Sequence, residues 1–144
     1  MAHDTTHIFR ASLKSKLYRD IEIDSTRSLS DLAEAIVVSF DFDFDQAFGF
    51  YSKLTDAYHQ SPEQYELFAD MDEGSSDAKS VQRTKVGQAF AKVGKKMLFV
   101  FDYGEEWRFQ VELKALGEKA PKTRYPRMVA ASGEAPPQYP EEDE

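Results

Sequence analysis

The apolar run Met97–Phe101 is followed, after a short polar break, by strict alternation: Trp107, Phe109, Val111 and Leu113 against Arg108, Gln110, Glu112 and Lys114. The run suits a strand covered on both faces, and the alternation suits a strand covered on one. Between them, Asp102-Tyr103-Gly104-Glu105-Glu106 is turn chemistry: Asp accepts from the backbone two residues on, and Gly supplies a positive φ. Residues 96–116 therefore predict a β-hairpin. Period-2 segments Ile8–Lys14 and Leu17–Ile23 predict an earlier strand pair across Ser15-Lys16. Leu29, Leu32, Ala33, Ile36 and Phe40 recur at helical spacing, and Ser28 with Asp31 forms a capping signal, so residues 29–40 predict a helix. Ala47–Lys53 and Tyr65–Met71 predict two further strands, with Asp72–Ser80 as a surface loop. Thr84 is placed to cap a short helix running to Ala91, and Gly87 inside that helix makes it depend on packing.

After Leu116 periodicity stops, and five of the six prolines lie beyond that residue. The expected fold is α+β: a single domain over residues 1–140, with a mostly antiparallel sheet and one main helix packed on it. A C-terminal β-hairpin and an extended Pro-rich tail complete it, and residues 141–144 form an acidic disordered end.

Charge changes the picture of partners. The chain of 144 residues carries a formal net charge of −8, which disfavours generic attraction to phosphate backbones and anionic membranes. Within it, Lys114, Lys119, Lys122, Arg124 and Arg127 face one acid, Glu118, a local excess of 5 − 1 = +4. Lys119, Lys122 and Arg124 are the candidates for a weak nucleic-acid contact, and a solvated linker is the favoured reading. No apolar stretch reaches the roughly 18 residues of a membrane span, and no secretory leader is visible, so a cytoplasmic location with no membrane partner is expected.

The chain contains no cysteine, so disulfides, thiolate nucleophiles and Cys-based metal sites are excluded. Asp41, Asp43 and Asp45 begin like a calcium loop, but Gln46 and Ser52 occupy the positions that need Gly and Glu. The expected arrangement instead turns Phe42 and Phe44 inward and the aspartates to water. His3 and His7 in a frayed N-terminus and His59 in a loop have no ligand spacing, so no metal and no cofactor are expected.

The segments Phe99–Leu113 and Tyr125–Pro140, with Thr84–Gly94 before the hairpin and Leu17-Tyr18-Arg19 in the second strand, resemble the plasmid pRiA4b ORF-3-like family. The resemblance implies a compact α+β fold and, for some members, a role as passenger proteins of insertion elements. It supplies no defined activity. Many relatives carry His where this chain has Phe109, and cysteines where it has Met128, Ala135 and Pro140; if those groups bind metal in relatives, the ligands are lost here.

The function expected is that of a non-enzymatic interaction or accessory module. Its groove, between the hairpin turn and the tail, would hold a protein or peptide partner against Asp102, Tyr103, Gly104, Glu106, Trp107, Tyr125, Arg127, Pro136 and Pro137. One alternative is a nucleic-acid accessory protein using residues 114–127. The other is an enzyme of unrecognised type centred on Asp102, the turn carboxylate that the tail would cover.

Overall fold

The computed structural model describes residues 4–67 and 78–139. Eight strands form one sheet: β1 Thr5–Lys14, β2 Leu17–Asp24, β3 Phe48–Tyr51, β4 Gln64–Glu66, β5 Lys79–Ser80, β6 Lys96–Phe101, β7 Trp107–Glu118 and β8 Arg127–Ser132. Their spatial order is β5-β4-β3-β6-β7-β1-β2-β8. Every neighbouring pair is antiparallel except β4 with β5.

The sheet corrects the expected architecture. The sequence predicts one main helix packed on a mostly antiparallel sheet; the molecule is a mixed, sheet-dominated fold accompanied by two short helices. These are α1, Leu29–Ser39, and α2, Val86–Ala89. The difference has a physical cause. Two strands are not revealed by periodicity: β5 is two residues long, too short to show a period, and β8 buries almost no side chain, so neither leaves an alternating pattern. β8 lies inside the segment expected to be an extended tail, and β5 at the end of the expected surface loop. The expected strand Tyr65–Met71 is reduced to β4, and its part beyond Leu67 lies outside the described residues.

The core explains the rest. Phe9 and Ala11 of β1, Ile21 and Ile23 of β2, Met97, Phe99 and Phe101 of β6, and Phe109, Val111 and Leu113 of β7 share one face. Leu29, Leu32, Ala33, Ile36 and Val37 of α1 close over it with Val86 and Ala89 of α2. Ser28 caps α1 as its sequence indicates, its hydroxyl accepting from Asp31 N at 3.0 Å. Thr84 does not cap α2; its hydroxyl donates to the Ser80 carbonyl, and Lys85 stands at the cap position, its N–H donating to Gln88 Oε1. On the opposite face, Leu98 and Val100 meet Tyr51 and Tyr58 in a second, smaller cluster. β6 is therefore covered on both faces, as its unbroken apolar run requires.

Candidate functional site

The hairpin turn is rigid for local reasons. Asp102 is buried, and its Oδ1 accepts from Gly104 N at 3.1 Å and Glu105 N at 3.2 Å. Its own N–H donates to the Ala47 carbonyl at 2.8 Å. The positive φ angles expected of Gly104 belong instead to Asp102 (64°) and Glu106 (58°). Asp tolerates that region because its short carboxylate bonds the following amides. One carboxylate oxygen of Asp102 thus holds the turn.

From this turn the side chains leave in two directions. Tyr103 and Glu106 reach the smaller cluster. Tyr51 donates to Glu66 Oε2 at 2.6 Å, so the 2.8 Å contact between the two phenols has Tyr103 as its donor. Burial pushes the Tyr51 hydroxyl far up, with the Glu66 carboxylate adding to it, and burial raises Tyr103 to about 12. Glu106 accepts from Tyr58 OH at 2.7 Å and from Arg108 Nη2 at 2.9 Å. Those two bonds hold its carboxyl below the usual range.

Trp107 faces the larger core and meets the tail. Its ring packs on Phe42 at 4.8 Å, and its indole N–H donates to the Gln138 carbonyl at 3.1 Å. The Gln138 side chain brackets Asp43, accepting from its N–H at 2.7 Å and donating to its carbonyl at 3.0 Å. Tyr139 reaches the Asp45 carboxylate and accepts from Gln46 Nε2 at 3.1 Å. Phe42 is buried, as expected, and Phe44 packs against Phe48 and Phe101. The Asp-Phe-Asp-Phe-Asp segment is thus a latch for the tail, a use that its residues did not advertise. Pro136 is half-buried and Pro137 exposed along this stretch.

Tyr125 and Arg127 lie elsewhere, at the β2/β8 edge. Arg127 donates through Nε and Nη2 to Glu22 Oε1, at 3.0 and 2.8 Å, while Glu22 Oε2 accepts from Thr6 at 2.6 Å. The Arg127 guanidinium stands 5.7 Å from the Tyr125 ring centre. Of the basic segment, Lys119 is paired with Asp24 at 2.9 Å and Arg127 with Glu22, while Lys114, Lys122 and Arg124 are exposed. His7, expected in a frayed N-terminus, is buried in β1, and His59 stacks on Tyr58 at 4.1 Å. Among the described residues, no group of three or more His, Cys, Asp and Glu side chains is placed to hold a metal.

What the tail does leave open is a cleft of about 320 Å³ between α1 and β8, lined by Ile21, Ala35, Val38, Ser39, Pro126 and Met128. Val38 is 55% exposed and Met128 53%, so its lip is apolar and uncovered. Arg127 and Asp41 also border it. No signal in the sequence marks this site, because Val38 looks like one more apolar helix residue and Met128 like part of an irregular tail.

No functionally curated protein matches the chain. Its fold is similar to the crystal structure of a protein of unknown function from Methanosarcina mazei Go1. That likeness has a TM-score of 0.72 at 18% identity and covers 89% of this chain and 70% of the other. At that identity the likeness is one of fold. Among the described residues, no helix is long and apolar enough to cross a membrane. Residues 7–141 match the family described as Plasmid pRiA4b ORF-3-like protein, and with the match running through the sheet, the latch and the tail, the chain belongs to that family.

Proposed function

We propose that this chain is a non-enzymatic interaction module, and that its C-terminal segment, folded back against α1, forms the binding groove. The observation that carries this reading is the α1/β8 cleft, with Val38 and Met128 exposed at its lip. Large exposed apolar residues that converge on one concavity mark a place where another molecule is buried. The C-terminal segment that forms one wall of this groove is fixed at two places. Gln138 and Tyr139 fix it beside Trp107, and Arg127 with Glu22 fixes its start. A wall held at two places is preorganised, so a ligand loses little of its affinity to ordering the protein.

The experiment is selection of short peptides from a random display library against the intact protein, followed by amide chemical-shift mapping of the binders. Binders should carry an apolar anchor, perturb Ala35, Val38 and Met128, and lose affinity roughly tenfold or more when Ala35→Arg fills the cleft. Selected peptides that map to another surface, or bind Ala35→Arg unchanged, would reject the groove.

A further inference from the structure

The positive charge of this acidic chain is concentrated in one place. Six of its 18 lysines and arginines fall in residues 79–96, and no aspartate or glutamate does. This stretch runs from β5 through α2 to the start of β6. Where β4, β5 and α2 meet, it borders a pocket of about 230 Å³ lined by Tyr65, Lys79, Arg83, Thr84 and Gln88. The lining is unlike that of the α1/β8 cleft: it holds two cations and no carboxylate, and Tyr65 is its sole large apolar body.

The polar groups around the pocket present donors to it. Glu63, the carboxylate beside it, accepts from Tyr65 OH at 2.5 Å and from Lys95 Nζ at 2.8 Å, so its charge is met outside the lining. Gln88 accepts at Oε1 from Lys85 N at 2.8 Å, which leaves its two Nε2 donors for another acceptor. Lys79, Arg83 and Gln88 are exposed. The backbone beneath them is fixed. Ser80 Oγ accepts from Arg83 N at 3.3 Å, and Thr84 Oγ1 donates to the Ser80 carbonyl at 2.8 Å. Leu29 N at the start of α1 donates to the Thr84 carbonyl at 2.9 Å. A ligand here therefore has little backbone to order.

We propose that this pocket binds a phosphate monoester, a compact dianion held by Lys79, Arg83 and Gln88. Charge selects an anion, because two cations and an amide donor line the pocket and no acid does. The planar guanidinium fork of Arg83 matches a pair of phosphate oxygens, and the Lys79 ammonium adds a point charge. Size and lining select a small polar body on the phosphate, since about 230 Å³ with one aromatic wall has no room for a hydrocarbon chain. Lys85, Lys92 and Lys96, exposed along the same stretch, add a field that draws dianions to this end of an otherwise acidic molecule. This site goes beyond the reading of the α1/β8 cleft, and either can fail without the other.

The probe is inorganic phosphate, titrated into the intact isotope-labelled protein with sodium chloride adjusted to hold ionic strength constant. Amides of Lys79, Arg83, Thr84 and Gln88 should shift and saturate, with a Kd on the order of 1 mM. Ribose 5-phosphate should compete for the same site at least as tightly. Lys79→Glu and Arg83→Gln should each weaken binding roughly tenfold, while Arg124→Glu, at an exposed cation in the separate basic segment after β7, leaves it unchanged. Shifts that spread over scattered lysines without saturating overturn the proposal. So does a loss under Arg124→Glu as large as under the pocket variants. A duplex oligonucleotide or phosphatidylglycerol vesicles that bind residues 79–96 while phosphate and ribose 5-phosphate do not would make this an extended polyanion surface, and the pocket would fall.

Discussion

His7 sits 2.7 Å through Nδ1 from Ser25 Oγ and 3.0 Å through Nε2 from the Phe90 carbonyl. A carbonyl can only accept, so Nε2 carries the proton and Nδ1 accepts from the Ser25 hydroxyl. Protonating Nδ1 would oblige the Ser25 hydroxyl to turn and accept instead. Burial lowers the pKa of His7 below its ordinary 6.5, and the Phe90 bond opposes this only in part. Between the lowered folded value and 6.5 the unfolded chain binds more protons than the folded one. His7 therefore destabilises the fold as pH falls through 6.5, and the loss ends below the folded value. Urea midpoints should drop between about pH 7.5 and pH 5.5, and His7→Gln should flatten that drop. An unchanged slope in the variant would remove His7 from the account. Glycine positions give a second test at this scale. A Cβ on Gly49 would lie 2.7 Å from both the Tyr51 and Tyr103 hydroxyl oxygens, whereas one on Gly104 meets only Asp102 Oδ1 at 3.4 Å. Gly49→Ala should cost about 1–3 kcal/mol in denaturant titration, and Gly104→Ala less than about 0.5. Equal costs would mean that the tyrosine pair yields freely.

Among the elements, the tail latch is the one whose energetic weight is easiest to isolate. A chain ended at Ser132 keeps β8 but loses Ala135, Gln138 and Tyr139, which pack on the core, cap the Trp107 indole and bind the Asp43–Asp45 backbone and carboxylates. Trp107 emission should shift to the red and stability should fall by roughly 1–3 kcal/mol. Unshifted emission would show that the latch does not shield the indole. This docking of the tail near Trp107 was legible in the sequence, because tyrosines and apolar residues persist among the prolines where a linker needs none. The hairpin, α1 and the first strand pair were legible too, since each buries one face and so writes its period into the chain. β8 was not, because an exposed edge strand is held by its backbone. The α1/β8 cleft was not either, as it depends on that unseen strand. The nine expected groove residues are spread out for a related reason: the turn sends Tyr103 and Trp107 to opposite faces, and β8 carries Arg127 to the far edge.

At the scale of the whole molecule, β6 belongs to both cores, with Met97, Phe99 and Phe101 on one side and Leu98 and Val100 on the other. Its amides should exchange with deuterium most slowly, and those of β8 among the fastest of the strands. Slow exchange in β8 would contradict this ordering. The sheet order also carries a consequence for how the protein is made. Thr5 pairs with Glu118, and Tyr18 with Ser132, so each of the first two strands, already paired with the other, finds its second neighbour only among the last. At about 5–20 residues per second, the β1–β2 hairpin leaves the ribosome several seconds to tens of seconds before β7 can cover it. During that interval Phe9, Ala11, Ile21 and Ile23 have α1 to pack against but lack β6 and β7. Chains arrested at increasing lengths should stay protease-sensitive until β7 has emerged in full, and then become resistant in one step. The nascent chain, with its N-terminal apolar face unburied, is the state in which this protein most needs a chaperone.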